Sequence, residues 1–394
     1  LLTILPELDE TASMNPTDNA SFFLIYPPGL EEPALIELKE KYALLEAAVP
    51  LNVTMVTSGG IEIECPLHTG LKLNLVLKTP TRILLRLTEF KCRDFPKLYQ
   101  KVSKFNWANW MLGQTPEVEC SSKNSRLFDS RKIEKAIGDG INEFYRHKPV
   151  KKKYLDRFAV TEKKNLPKLY FRAEEDLVTL SLDTTGDRLH KRGEKMAAGL
   201  APIRENLASL LLIDLLENAP ENSTLIDPMC GSGTFILEAK HFYQMSTERD
   251  FAFFHLPVVI EAPALFVHNS LSGKSLVKNA VGFDISPDVI AQAKKNDPEG
   301  DFRSEDLMSK TTHEFENPVV IVNPPYGIRV GENINLDFFL RVIRSVKNKF
   351  HPSIAGFIIP DEFKIYSNEE WTVKKTRAFK NGGIEVVFYV LAFV

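Results

Sequence analysis

Ser223-Thr224-Leu225-Ile226-Asp227-Pro228-Met229-Cys230-Gly231-Ser232-Gly233-Thr234-Phe235-Ile236-Leu237-Glu238-Ala239 reads as a buried strand, a glycine turn and a helix in unbroken succession. The apolar run before Pro228 has the length of a strand, and the residues after Gly233 form a helical run. Gly231 and Gly233 let the backbone approach a ligand closely, and the N–H groups that open the helix favour polar or anionic groups. A turn of this kind also serves simply to pack a helix on a sheet. It is not the full GxGxxG of a dinucleotide site, and no acidic residue ends a strand about 20 residues further on. Nicotinamide chemistry is therefore disfavoured.

The acidic residue comes later. Asn279-Ala280-Val281-Gly282-Phe283-Asp284 reads as the next parallel strand, ending in a carboxylate able to accept both hydroxyls of a ribose. Between the two strands, roughly residues 245–278, lies an insertion rich in Phe, His and Pro. Asp306 follows a further short strand and is either an acceptor for an adenine amine or a solvated turn aspartate. Pro318-Val319-Val320-Ile321-Val322 then leads into Asn323-Pro324-Pro325-Tyr326. The residue types fit methylation of an exocyclic base amine, whose lone pair is delocalised into the ring. An Asn side-chain oxygen and the Pro324 carbonyl supply two uncharged acceptors for its N–H groups. The prolines stiffen the loop, and Tyr326 offers a flat face to a flipped-out base, or is an aromatic packed behind a rigid turn. Four candidate ligand groups thus stand at the carboxyl ends of successive strands, where open parallel sheets bind ligands.

DPMCGSGT at 227–234, GFD at 282–284 and NPPYG at 323–327 resemble the S-adenosylmethionine methyltransferases that modify exocyclic amines. Leu189-His190-Lys191-Arg192-Gly193 and Ala201-Pro202-Ile203-Arg204-Glu205-Asn206-Leu207-Ala208 are similar to the segment preceding the catalytic domain of THUMP-containing RNA methyltransferases. That group includes the bacterial large-subunit ribosomal RNA guanine-N2 methyltransferase (RlmL) family. Pro27-Pro28-Gly29-Leu30-Glu31-Glu32, Gly59-Gly60-Ile61-Glu62-Ile63 and residues 81–87 resemble its ferredoxin-like segment and THUMP domain. The resemblance covers roughly residues 21–394 and is loosest in the insertion.

The resemblance implies an α/β chain: a C-terminal Rossmann-like methyltransferase domain preceded by an α+β ferredoxin-like and THUMP RNA-binding region. The layout it implies is an unassigned extension at 1–20, the RNA-binding region at 21–185, a linker at 186–202 and the methyltransferase domain at 203–394. S-adenosylmethionine is the implied cofactor. Its pocket is expected to involve Asp227, Gly231, Gly233, Thr234, Asp284, Asp306 and Asn323, with Pro202 and Arg204 lining it, unless Arg204 is an ordinary first-turn helix residue. Asn323, Pro324, Pro325 and Tyr326 are the expected catalytic set. Two departures stand out: one methyltransferase module is present where some RlmL proteins fuse two, and residues 1–20 have no recognised counterpart.

With 394 residues and 44% hydrophobic content, the chain has material for two or three cores, and no apolar run of 18 residues could span a bilayer. Cys65, Cys92, Cys120 and Cys230 show no CxxC pairing, and the eight histidines form no HExxH, so reduced thiols and no metal are expected. No signal-peptide pattern is recognised, and a cytoplasmic location is expected, although the sequence begins without Met. The net charge of −3 conceals an asymmetry. Residues 123–172 hold 15 Lys and Arg against 6 Asp and Glu, a local +9 that leaves −12 elsewhere. Such a concentration suits contact with phosphates. Arg126, Arg131, Lys132, Lys151, Lys152 and Lys153 are the expected RNA-binding residues, the three lysines being otherwise a solvated face. Ribosomal RNA guanine N2 is the preferred target, with adenine N6, a transfer RNA substrate, and a non-catalytic RNA-binding assembly factor as rivals. Oligomeric state is left open.

Periodicity supplies the rest. Residues 22–26 read as a strand, 31–42 as a helix, 71–77 as helical or extended, and 133–145 as an amphipathic helix. Residues 169–172 and 177–182 read as a hairpin, with 183–186 closing the domain. Strands and helices alternate from Ile203 onward, predicting a doubly wound sheet with 384–390 as a central strand. A terminal antiparallel strand is implied by the resemblance alone.

Overall fold

The computed structural model describes residues 15–150, 152, 154, 165–192, 203–266, 271, 275–326 and 335–394. Pro202, Lys151 and Lys153 lie outside the described residues, as does most of the N-terminal extension. Two seven-stranded sheets organise the chain.

The first sheet contains β1 (Asn19–Ile25), β2 (Asn52–Thr57), β3 (Gly60–Pro66), β4 (Arg82–Lys91), β5 (Val118–Lys123), β6 (Leu169–Glu174) and β7 (Leu177–Asp183), in the order β2-β3-β1-β4-β7-β6-β5. All its pairs are antiparallel except β5 with β6. The expected 169–182 hairpin is present, closed by Glu175 and Asp176 at positive φ. The ambiguous stretch at 71–77 belongs to helix α2 (Leu67–Val76), which follows α1 (Glu31–Leu45) in the chain. Eight of the ten α2 residues are buried, so it lacks the polar face that would mark a helix in the sequence. Gly70 brings it against β1: a Cβ there would lie 2.0 Å from the Phe22 ring. Helices α3 (Phe95–Lys104) and α4 (Ser130–His147) are amphipathic and pack on each other.

The second sheet contains β8 (Thr224–Asp227), β9 (Asn279–Asp284), β10 (Asp301–Ser304), β11 (Pro318–Val322), β12 (Ile354–Pro360), β13 (Trp371–Asn381) and β14 (Ile384–Phe393), in the order β10-β9-β8-β11-β12-β14-β13. Strands β8 to β12 are parallel, and β14 runs antiparallel between β12 and β13. The 384–390 run is therefore next to the edge and not central. Its unbroken apolar character arises because alternate residues enter the cores on opposite faces, Val386, Phe388 and Val390 in one and Val387, Tyr389 and Leu391 in the other, while β13 mostly alternates half-buried and exposed residues. Helices α5 (Glu205–Leu216), α6 (Thr234–Lys240) and α8 (Pro287–Asn296) share one core with Leu225, Val319 and Ile321; α7 (Pro257–Glu261) lies in the insertion. Helix α9 (Leu336–Phe350) packs on the other face against Ile226, Val320 and Val322. Helices cover both faces, so the doubly wound expectation holds.

The core containing α5 and α6 continues into the first sheet. At this seam Lys41 is fully buried and donates to Glu37 Oε1 (2.6 Å), the Val76 carbonyl (2.9 Å) and the Phe242 carbonyl (2.7 Å). Its ammonium also lies 3.8 Å from the Phe242 ring centroid. Glu37 in turn accepts from the N–H groups of Lys78 and Thr79 and from the Thr79 hydroxyl. Burial acts to raise the Glu37 pKa, but Lys41 and these donors hold it below the usual carboxylate range. Arg192 bridges Glu238 and the Lys78 carbonyl. The insertion reinforces the seam, since Ser246 N–H donates to the Leu75 carbonyl and Phe253 N–H to the Thr184 carbonyl. The four cysteines are free. Among the described residues no helix is long and apolar enough to cross a membrane.

Lys41→Met leaves a buried carboxylate and two orphaned carbonyls, and is expected to cost about 3 to 5 kcal/mol in urea unfolding. The double variant Glu37→Gln/Lys41→Met should recover part of that loss; a single variant as stable as the parent would show that the ion pair does not hold the seam.

Candidate active site

Strand order reverses at β8: β9 and β10 lie on one side, β11 and β12 on the other, and a crevice opens at the carboxyl ends. Register sets what meets there. Asp227 pairs with Gly282, Asp284 with Ser304, and Val320 with Ile226, so Asp227, Asp284, Asp306 and Asn323 all fall at one edge.

The turn after β8 is bound to β9. Cys230 N–H donates to the Phe283 carbonyl (2.8 Å), and Gly231 N–H to Asp284 Oδ2 (3.1 Å). Asp284 Oδ1 accepts from Ser286 N–H at 3.0 Å, yet the carboxylate stays half-buried, with lone pairs left for further donors. Gly231 and Gly233 sit at φ +55 and +85. A Cβ on Gly231 would meet nothing within 4 Å, leaving open space beside the backbone. A Cβ on Gly233 would lie 2.9 Å from the Phe302 ring. That ring is itself wedged, because a Cβ on Gly282 or Gly300 would also strike it. Phe302, unremarked in the sequence reading, thus seats the turn on the sheet.

The remaining expected cofactor residues differ in placement. Asp227 is 2% exposed beneath the turn, where its Oδ1 accepts from Met229 N–H at 3.1 Å. Burial pushes its carboxyl well above the usual range, and Asp284 adds to this against the Met229 hydrogen bond. Its position is that of a turn-shaping group more than of a surface ligand. Thr234 is buried at the start of α6, a helix of only seven residues. Asp306 is exposed on the loop after β10 and accepts from Met308 N–H at 2.9 Å. Arg204 occupies the cap position of α5, half-buried, its pKa lowered by burial and by Arg188; no hydrogen bond joins it to the glycine turn. Ile285, next to Asp284, is 69% exposed and offers an apolar face the sequence reading did not single out.

On the other side of the crevice, Asn323 Oδ1 is buried and accepts no hydrogen bond from the described residues. An orphaned buried acceptor costs about 1 to 3 kcal/mol, so it is more often matched by a ligand donor than left idle. Pro324 is buried and Pro325 exposed. Tyr326 is half-buried, and its hydroxyl accepts from Asn381 Nδ2 at 2.6 Å. Asn381 heads the β13–β14 hairpin, whose Gly382 and Gly383 have positive φ. Asn-Gly is a legible turn signal, but its grip on a tyrosine 55 positions away is not. Arg126, Arg131 and Lys132 lie apart from this edge, exposed on the loop after β5 and the first turn of α4; Lys152 is also exposed. Among the described residues no cluster of three or more His, Cys, Asp or Glu could hold a metal.

This architecture, with a glycine turn, a strand-end acid and Asn-Pro-Pro-Tyr along one sheet edge, is that of a Rossmann-like methyltransferase. More particularly, residues 192–386 match the family described as RMKL-like, methyltransferase domain, and residues 92–158 match the THUMP domain. The chain carries a THUMP domain followed by an RMKL-like methyltransferase domain. It is 29% identical over 335 residues to the ribosomal RNA large subunit methyltransferase K/L of Psychromonas ingrahamii, covering 79% of this chain and 42% of that protein. The protein of the same name from Aliivibrio salmonicida is 30% identical over 339 residues, covering 78% of this chain and 46% of that protein. The chain thus spans less than half the length of these relatives. The crystal structure of SMU.472 complexed with SAH shares the fold, with a TM-score of 0.71 and 24% identity over 95% of this chain and 98% of that one.

Gly231→Asn should leave the thermal unfolding midpoint nearly unchanged, because asparagine tolerates left-handed backbone and the space is open. Gly233→Asn meets the wedged Phe302 ring and should cost about 1 to 3 kcal/mol. Equal losses at both positions would mean that backbone conformation, and not Phe302, limits the turn.

Proposed function

We propose that the chain transfers the methyl group of S-adenosylmethionine to the exocyclic N2 amine of a guanine in large-subunit ribosomal RNA. The unmatched acceptor of Asn323 carries this reading. It is an uncharged oxygen at the carboxyl edge, without a partner among the described residues, and it precedes a proline carbonyl and an anchored aromatic ring. Those are the groups that a planar amine needs. The names of the K/L relatives support the ribosomal substrate, and the SAH complex of SMU.472 supports the cofactor.

The residues fit the cofactor. Open space at Gly231 would admit it against the backbone, Asp284 would accept from its ribose hydroxyls, and Ile285 would offer an apolar face to its adenine. Bound there, S-adenosylmethionine supplies an activated methyl and its own leaving group. The protein's part is position. Asn323 Oδ1 and the Pro324 carbonyl accept the two amine hydrogens, orienting the nitrogen lone pair, while Tyr326 stacks on the flipped base. Asn381 fixes the plane of that ring through the hydroxyl. The half built on the first sheet, residues 21–185, holds the RNA through Arg126, Arg131, Lys132 and Lys151 to Lys153, and the 186–202 segment links it to the methyltransferase domain. The site of this work is proposed to be the cytoplasm, in keeping with the ribosomal RNA substrate named for the K/L relatives.

Labelled methyl transfer to protein-free large-subunit RNA, transfer RNA and duplex DNA, followed by nucleoside mass spectrometry, tests the assignment. N2-methylguanosine in ribosomal RNA is the expected product; N6-methyladenosine, or label confined to tRNA or DNA, would overturn the substrate. Asn323→Ala should lower kcat on the order of 100-fold while leaving S-adenosylmethionine affinity nearly intact, as expected for a group that acts on the reacting amine. Matching losses in both would move Asn323 to the cofactor. Tyr326→Ala should lose stacking worth about 1 to 3 kcal/mol. Tyr326→Phe should lose only the Asn381 hydrogen bond, about 0.5 to 1.5 kcal/mol.

A further inference from the structure

Phe128 is 78% exposed, although the residue before it, Leu127, is fully buried. The loop that carries it runs from edge strand β5 into α4 and is braced on both sides of the ring. Asn124 donates through Nδ2 to Glu175 Oε1 (2.8 Å), Ser125 through its hydroxyl to Asp176 Oδ1 (3.1 Å), and Arg126 through its N–H to the same oxygen (2.8 Å). After the ring, Asp129 Oδ1 accepts from Lys132 N–H at 3.3 Å and caps α4. The backbone is therefore held in place while the aromatic face is left to solvent.

The surrounding charges say what the ring meets. Five cations of the basic region are paired with carboxylates: Lys123 and Arg172 with Glu174, Lys168 with Glu117 and Glu119, Arg146 with Glu143, and Lys132 with Asp129. Arg126 and Arg131 have no carboxylate partner among the described residues, and they stand two positions before and three after Phe128. No other large apolar side chain between Val56 and Leu265 is exposed among the described residues. The ring is thus a single apolar face between two uncommitted guanidiniums. A protein partner would be met by a contiguous apolar patch. A lone ring flanked by cations matches a nucleotide, whose base stacks while its neighbouring phosphates meet the charges.

We propose that Phe128 is a stacking platform for an unpaired base, with Arg126 and Arg131 taking the phosphates on either side, so that this loop grips single-stranded or looped RNA and not a duplex. Paired bases in a helix have no face free for the ring. The inference rests on the RNA-substrate reading and adds to it the single-stranded character of the segment held away from the active site.

The test uses the full chain and two probes: a single-stranded RNA of about 16 nucleotides carrying 2-aminopurine, and the blunt duplex of the same sequence. Phe128→Ala should weaken single-strand binding about 5- to 150-fold and change duplex binding less than about twofold, while Phe128→Tyr keeps the parent affinity. Arg126→Ser/Arg131→Ser should weaken both probes and flatten the salt dependence. Equal losses on both probes with Phe128→Ala, or no loss on either, would overturn the stacking role. A parent protein that methylates RNA while Phe128→Ala binds the single strand unchanged removes this inference alone; a parent that neither binds nor methylates RNA removes the substrate reading with it.

Discussion

One ammonium group, that of Lys41, fastens the two halves of the chain together. It has three protons to place and no water to place them in, and it finds a carboxylate and a carbonyl in the first half and a second carbonyl, Phe242, in the other. Glu37 spends its remaining capacity on the backbone of Lys78 and Thr79, which fixes the segment that Arg192 and Asn206 also address from the methyltransferase side. The hydrophobic core runs through this point unbroken. Apolar contact supplies affinity between the halves, but it is non-directional; the buried ion pair, with all its donors assigned, selects one registration. Any RNA held by the first half is thereby held at a constant offset from the crevice in the second.

The crevice follows from a comparable economy. Parallel strands deliver their carboxyl ends to one edge, so Asp284, Asn323 and the glycine turn need no long loops to converge. Phe302 presses the turn in place, Asp284 ties it to the neighbouring strand, and the buried Asp227 supports it from below. Most polar atoms here are satisfied within the protein. Ser232 Oγ and Asn323 Oδ1 are exceptions among the described residues, and an unmatched acceptor on a rigid Pro-Pro loop is a device for receiving a donor.

Charge behaves differently at the surface. The local excess of basic residues between 123 and 172 is real in the sequence, but the strand-borne members are paired with glutamates on the same sheet. Arg126 and Arg131, which have no carboxylate partner among the described residues, flank Phe128 at the loop before α4. A regional count locates the footprint only coarsely, because pairing decides which cations are available.

The sequence by itself determined the elements whose signals are local. The strand, glycine turn and helix around Gly231, the hairpin at 169–182 and the strand-end residues Asp284 and Asn323 depend on backbone preference and short-range periodicity, both written within a few residues. Tertiary structure alone decided where distant pieces meet. It made α2 a helix without a polar face, set the 384–390 run antiparallel beside an edge strand, and brought Asn381 to Tyr326. It also buried Lys41, which sequence would assign to a solvated helix face. These outcomes turn on which surfaces are covered and which partners stand opposite, and packing across the whole chain settles both; no window of sequence contains them.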